Sequence, residues 1–452
     1  MTHTPAHTRS VDLTEGSIAK NILLFALPLV AGQLFQNLYN TVDSIVVSRC
    51  VGLTALAAVT SCADISRLLV GFFTGLSVGS GVAFSRYFGS KDYENLHRAI
   101  HTALTFSAVM GLAMMALGVI SAPLLLRLVD CPADVYPEAL LYLRVYLVGV
   151  LFTSIYNVQS GVLRSVGDSR SPFLYLVAAS FINIALDLLF VAVLGWGVAG
   201  VAVATILSQS GSVAMVTARM LRTTDVYRLE PRHLTIDGKL LLSILRLGIP
   251  SAIQTALISF SNLFVQRYVN GFGTQAMAGA GAGKKIDEYV STLTVALGQS
   301  STTYVSQCVG AGKYGRAYQG VRCVIAINFA VIVILAVPIY IFAQPISGLF
   351  TDDAGAIGFA VMMVRTLMPL YILQSFHQVL SNTVRGFGHS GAAMVTTVAG
   401  LIVCRQIYLA AAMAIRHEVR LVFLSWPVGW AFSAAFAGVY YYFAIRRRNP
   451  AE

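Results

Sequence analysis

Charge is what this chain lacks most. Only 11% of its 452 residues are Asp, Glu, Lys or Arg, while 56% are hydrophobic. A soluble domain carries roughly 25% charged residues, so a water-soluble globule is excluded. Polar linkers are almost absent too: Thr223 to Lys239 is the one substantial stretch, which excludes a string of small domains. The six cysteines (50, 62, 131, 308, 323 and 404) form no Cys-x-x-Cys, which argues against a zinc ribbon or dithiol redox site. Cys50 and Cys131 are the pair placed to face outside together, and no disulfide between them is expected. Histidine is sparse, and His97 and His101 flank Arg98 where a helical metalloprotease motif needs Glu. The run Ala278 to Lys285 lacks the first glycine and the hydroxyl of a phosphate loop. With no nucleophile set beside a base, a polytopic membrane enzyme is only a remote alternative.

Long apolar runs are what the chain has instead. About twelve segments approach the ~20 residues that cross a bilayer as helix. They lie near 18–46, 54–84, 96–122, 138–163, 172–194, 198–220, 243–270, 274–304, 318–343, 356–383, 391–414 and 419–445. The expected fold is an all-α polytopic membrane protein. Its net charge of +11 is distributed by side. Arg86, Lys91, Arg98, Arg164, Arg170, the 219–239 connector and the tail Arg446-Arg447-Arg448 fall on one side. Asp130, Asp134, Glu138, Asp352 and Asp353 fall on the other, and only Arg416 to Arg420 breaks the pattern. This positive-inside signature puts both termini in the cytoplasm of a multi-pass protein of a bacterial plasma or inner membrane. It is not a nucleic-acid footprint. The first 17 residues are polar, lack a cleavable apolar region, and lead into a retained signal anchor.

The second half repeats the first at an offset near 221. Arg164, Gly167 and Asp168 align with Arg385, Gly388 and His389; Gly52, Ala55 and Ala57 with Gly273, Ala276 and Ala278; Ser85, Gly89 and Tyr93 with Ser306, Gly310 and Tyr314. Two six-helix lobes follow: a tail at 1–17, a lobe at 18–222, a linker at 223–240, a second lobe at 241–445 and a basic tail at 446–452. An even number of spans per repeat inserts both lobes in the same orientation, a parallel internal repeat. Pro28 removes a helix hydrogen bond early in the first span and should soften it.

The chemistry sits in polar residues inside spans. Gln33, Gln36, Asn37, Asn40 and Asp43 recur at three or four residues and share one helix face. Such a face must look into protein or water rather than lipid. Asp43 stands ~33 Å along the helix from Asn21, towards its outer end, where a solvated interfacial aspartate would also stand. Asn183 and Asp187 lie one turn apart in the fifth span; Thr205, Ser208 and Gln209 lie in the sixth. Converged, these make an oxygen-rich pocket whose two acids cannot both ionise cheaply, so it would hold a proton or a small cation. A structural hydrogen-bonded knot is the other reading of the same residues. At the repeat offset Asp43 falls on Phe264 or Val265, Asn183 on Cys404 and Asp187 on Tyr408. A purely structural knot should recur in both lobes, so the asymmetry favours function. Asp64 with Arg67, and Lys284 and Lys285 with Asp287 and Glu288, have local partners and read as self-neutralising pairs facing the interior. A second site in the C-terminal lobe stays open, and Arg144, Arg365 and Arg405 are unassigned.

Several of these residues together resemble the multidrug and toxic compound extrusion (MATE) family: Asn183-Ile-Ala-Leu-Asp187 with Gly195-Trp-Gly197 through Thr205, Leu163-Arg164-Ser-Val-Gly167-Asp168 through Pro172, and Gly310-Ala-Gly312. The resemblance covers nearly the whole chain. It implies twelve helices in two lobes and secondary active efflux of cationic, often aromatic compounds in exchange for H⁺ or Na⁺ by alternating access. Residue by residue, it implies ion coupling at Asp43, Asn183, Asp187 and Thr205, which would also be the ligands of any Na⁺. It implies support or substrate contact at Gln36, Asn40, Tyr142 and Asn157, and a conformational role for Pro28. No cofactor, no other metal and no nucleic acid are expected; the partners are an organic cation and the lipid bilayer, and the chain is read as a monomer. The seventh span offers Gln254, Asn262 and Gln266 but no acid, which departs from one branch of the family. A lipid-linked precursor flippase of the same superfamily is the alternative, because Arg267, Lys284, Lys285 and Arg405 suit an anionic group.

Overall fold

A computed structural model describes residues 11–448 apart from 52 and 130; the side chains of 40, 43–50, 53–57, 64 and 67 are not described. The fold is all-α, with no strand among the described residues. In chain order the helices are α1 (Ile18–Cys50), α2 (Leu53–Gly89), α3 (Tyr93–Leu128), α4 (Tyr136–Val148), α5 (Val150–Ser165), α6 (Arg170–Asp187), α7 (Gly197–Arg222) and α8 (Gly238–Asn270). They continue as α9 (Thr274–Gly310), α10 (Tyr314–Ile341), the short α11 (Ala343–Ser347), α12 (Ala354–Leu367), α13 (Tyr371–Gly386), α14 (Ser390–Val398), α15 (Arg405–Ile415) and α16 (Val419–Tyr440). Ten spans among the described residues are long and apolar enough to cross a membrane, and α4 with α5 makes an eleventh, bent by 42°. Gly149 stands at that bend. Helix α9 falls outside this set, carrying Lys284, Lys285, Asp287, Glu288 and a Ser/Thr/Gln-rich stretch through Gln307.

Short polar signals end and start the helices. Asp92 accepts from the N–H of Asn95 at the start of α3, and Asp353 from the N–H of Gly355 and Ala356 at α12. The internal repeat is visible hydrogen bond by hydrogen bond. The N–H of Gly167 and Asp168 donate to Arg164 and Leu163; those of Gly388 and His389 donate to Arg385 and Val384. After α2, Lys91 and Asp92 donate to Phe88 and Tyr87, as Gly312 and Lys313 donate to Val309 and Cys308 after α9. Between helices, Ser85 Oγ donates to the carbonyl of Ser165 (3.4 Å) and Ser306 Oγ to that of Gly386 (3.0 Å).

Two compact units result. One holds the residues up to Asp12 and Leu27–Ala252; the other holds Leu13–Ala26 and Ile253 onward. The division falls inside α1 and inside α8, near Pro28 and Pro250. In the first unit α2 packs on α5, α3 on α4 and α5, and α6 on α7, around Phe73, Leu126, Leu143 and Leu147. In the second, α9 packs on α10, α12 and α13, and α13 on α16, around Tyr371, Phe423 and Trp430. The segment before α1 joins the second unit through Arg316, which donates to the carbonyls of Glu15 (2.8 Å) and Gly16 (2.9 Å).

Candidate functional site

In the first unit, Asn183 and Asp187 lie in the last turns of α6, each 1% exposed. Their spacing of four places them on one helix face. The side-chain oxygen and nitrogen of Asn183 are both buried without a hydrogen-bond partner among the described residues. A buried amide left this way costs about 1–3 kcal/mol, a cost kept where a ligand completes the site. Immediately after Asp187 the helix widens into a π-helical turn, Leu188–Val193. Such turns add a residue to the helix and re-aim its side chains, often at functional sites.

Helix α7, which packs on α6, brings Thr205 and Ser208. Thr205 Oγ1 donates to the Val201 carbonyl (3.0 Å) and Ser208 Oγ to the Thr205 carbonyl (2.9 Å), so both hydroxyl donors are used within α7 and their lone pairs remain to accept or coordinate. From α5, Thr153 Oγ1 donates to Gln209 Oε1 at 2.9 Å. The expected fourth-span pair is split by the bend at Gly149. Tyr142, on α4, is buried and stacks on Tyr146 with ring centroids 5.9 Å apart. Asn157, on α5, accepts from Thr74 Oγ1 (3.3 Å) and donates to the Thr153 carbonyl (2.8 Å), tying α5 to α2. Pro28 and the half-buried Gln36 lie within α1. The side chains of Asn40, Asp43, Asp64 and Arg67 lie outside the described residues.

The second unit has polar chemistry of opposite sign on matching helices. Arg405 starts α15 directly after a π-helical turn, Ala399–Cys404, and is 2% exposed. Its guanidinium donates to Asn262 Oδ1 (2.9 Å) and Ser261 Oγ (2.6 Å), both neutral, and its Nε is buried without a partner among the described residues. One turn along α8, Gln266 Oε1 accepts from Lys284 Nζ. Arg385 also donates to neutral oxygens, those of Asn382 (2.8 Å) and Gln254 (2.9 Å). In the charged run of α9, one pair meets at the surface and one acid is also held from a neighbouring helix. Lys285 and Glu288 pair at 3.6 Å but are exposed, whereas the Asp287 carboxylate accepts from Tyr371 OH on α13. No local pattern marks Tyr371, which lies 84 residues from Asp287 along the chain.

The MatE family model matches residues 28–189 and again 250–409, one copy in each half of the chain. The chain belongs to the MATE family. It is 28% identical over 444 residues to the "Probable multidrug resistance protein YoeA" of Bacillus subtilis, covering 96% of this chain and 95% of that one. It is 25% identical over 353 residues to an FAD transporter of Shewanella oneidensis, covering 75% and 76%. Among solved structures, the outward-facing conformation of a multidrug resistance MATE family transporter of the MOP superfamily superposes with a TM-score of 0.91. That likeness spans 98% of this chain and 99% of the other at 24% identity, and it bears on the fold. This MATE chain is therefore a multi-pass membrane protein whose relatives are transporters.

Proposed function

We propose that this MATE protein is a secondary active exporter that moves cationic amphipathic or aromatic compounds out of the cell in exchange for H⁺ or Na⁺. The buried Asn183, with neither side-chain atom partnered among the described residues, one turn from buried Asp187, carries this reading. An amide and a carboxylate on one buried face offer oxygens of the kind that bind a proton or a small cation. Thr205 on the neighbouring helix and Asp43 on α1 complete the proposed set, with Gln36, Asn40, Tyr142 and Asn157 supporting it and Pro28 letting α1 bend. Binding moves a conformational equilibrium only if it differs between the two states, so ion and substrate must prefer opposite states. The lobes 18–222 and 241–445 are the proposed moving parts, with both termini cytoplasmic, no catalytic step and no cofactor. Uptake of a fluorescent organic cation into inverted vesicles, under separately imposed H⁺ and Na⁺ gradients, tests this. Transport under one gradient and its loss in Asp187→Asn are expected; no transport under either, with inserted protein, overturns it.

A second reading is transport of substrates bearing an anionic group, such as a nucleotide or a lipid-linked pyrophosphate. Its specific support is Arg405, a buried guanidinium whose partners among the described residues are neutral oxygens of α8, with Lys284 of α9 donating to Gln266 one turn further along α8. The Shewanella relative's cargo, FAD, carries such a group.

A further inference from the structure

Away from the membrane-spanning faces, the connector between α7 and α8 meets the start of α3. His97 on α3, and Glu230 and His233 on the connector, each offer one ligand atom, and these atoms all lie within 4.8 Å of one another. His233 Nδ1 and Glu230 Oε2 are 2.8 Å apart. The rings of His97 and His233 stand edge to face at 5.6 Å between centroids.

His101 explains why these groups meet. It is buried, and its Nε2 accepts from the backbone N–H of Glu230 at 2.9 Å. That nitrogen therefore carries no proton, so Nδ1 carries it and donates to the His97 carbonyl at 2.7 Å. A neutral imidazole of fixed tautomer thus fastens the connector to α3 and sets Glu230 and His233 against His97, 133 and 136 residues away in sequence. Thr102 Oγ1 adds a second fastening by accepting from the N–H of Asp237 at 3.2 Å. The side chains of His233 and Glu230 are 62% and 41% exposed, so water has access to finish a coordination sphere.

We propose that His97, Glu230 and His233 form a binding site for a divalent transition ion of the Zn²⁺ class. Two imidazoles and one carboxylate are a donor set that Zn²⁺ accepts with water in the fourth position. The bound ion would clip the connector to α3. This site is independent of the ion-coupling residues and of the substrate.

Calorimetric titration of Zn²⁺ into the full-length, tag-free protein in detergent tests the assignment. It is run in a His3→Ala/His7→Ala background, so that the two N-terminal histidines do not contribute. One ion per chain with a Kd of about 10 µM or tighter is expected, weakened at least tenfold by His97→Ala and by His233→Asn, on the scale of losing a metal-site partner. Zinc should raise the Tm of the parent protein by more than that of His233→Asn at the same concentration, as weaker binding to the folded state requires. His233 is exposed, so His233→Asn and Glu230→Gln should fold as the parent does without zinc. No saturable binding, or equal affinity in the parent and both histidine variants, overturns the proposal.

Discussion

The helix that carries a buried carboxylate in the first unit has a counterpart that carries a buried guanidinium in the second. Asp187 ends α6 just before a π-helical turn; Arg405 opens α15 just after one. Around both, the scaffold is duplicated down to single hydrogen bonds: the turns closed at Gly167 and Gly388, and the serine-to-carbonyl contacts of Ser85 and Ser306. A charge that held the scaffold together would have been copied with it. The difference teaches that the repeat supplies the frame, and that each unit added its own buried charge to it. Burying an ion costs several kcal/mol, so a charge kept on one side only calls for a function.

The largest expected effect separates the two charges. Asp187→Asn should reduce ion-driven transport of every substrate by more than the roughly 10–100-fold lost with a ligand's outer partner, because Asp187 is placed in the ion site itself. Arg405→Gln should leave ion coupling intact and weaken only substrates with an anionic group, read by comparing initial rates for a cationic and an anionic dye. If both variants lose transport of both dyes equally, the division of labour between the units is wrong.

Packing gives the next contrast. A Cβ on Gly79 of α2 would lie 2.3 Å from the Cα of Gly248, which is backbone and cannot turn aside. Gly79→Ala should therefore cost about 1–3 kcal/mol, seen as a lower Tm in detergent. Its repeat counterpart is Ser300, whose hydroxyl donates to its own helix at Leu297 (2.7 Å). Ser300→Ala should cost at most about 1 kcal/mol. Equal losses would mean that the close approach of α2 and α8 has no special weight.

The turns after α2 and α9 should respond with opposite signs. Lys91 (φ 60°) and Gly312 (φ 73°) both adopt the left-handed conformation, and only the glycine does so without strain. Gly312→Ala meets open space, so its cost of about 1 kcal/mol is purely conformational. Lys91→Gly should stabilise by about 0.5 kcal/mol, because glycine's greater unfolded freedom offsets part of the relief. Chemical denaturation of the two variants checks both signs.

The smallest effect is an acid one. Asp237 stands before α8 and accepts from the N–H groups of Leu240 (3.1 Å) and Lys239 (2.9 Å), and from Arg98 (2.5 Å). These bonds, that from Leu240 foremost, hold its carboxyl below the usual carboxylate range. The stabilisation is present above the unfolded value of about 4 and is lost as pH falls through the lower folded value. Asp237→Asn should flatten that acid limb of a stability–pH profile. The matching helix α1 begins after Ser17, which does not titrate, so Ser17→Ala should leave the limb unchanged.

Much of the fold was legible because membrane helices must satisfy their backbone internally, which makes apolar length a direct readout. The bend at Gly149 was not legible, since a glycine within an apolar run does not announce an angle. Asn183 and Asp187 stood out as polar residues in a lipid-length run. Whether their atoms were already satisfied depended on neighbouring helices that the sequence does not place. The charged run of α9 was legible only in part: spacing suggests local partners, and Lys285 does meet Glu288, but Gln266 and Tyr371, brought in by α8 and α13, also lie against Lys284 and Asp287.

Local rules of composition and period thus determined by themselves that this chain is a helical membrane protein with a duplicated plan and unevenly placed acids. Those properties depend on neighbours within a few residues, or on counting along the chain. Tertiary structure alone decided which polar atoms remain unpartnered, that Arg405 faces neutral oxygens, and that His97 meets Glu230 and His233. The last two are meetings of residues more than a hundred positions apart, and all three are set by helix packing and turn geometry rather than by any local pattern.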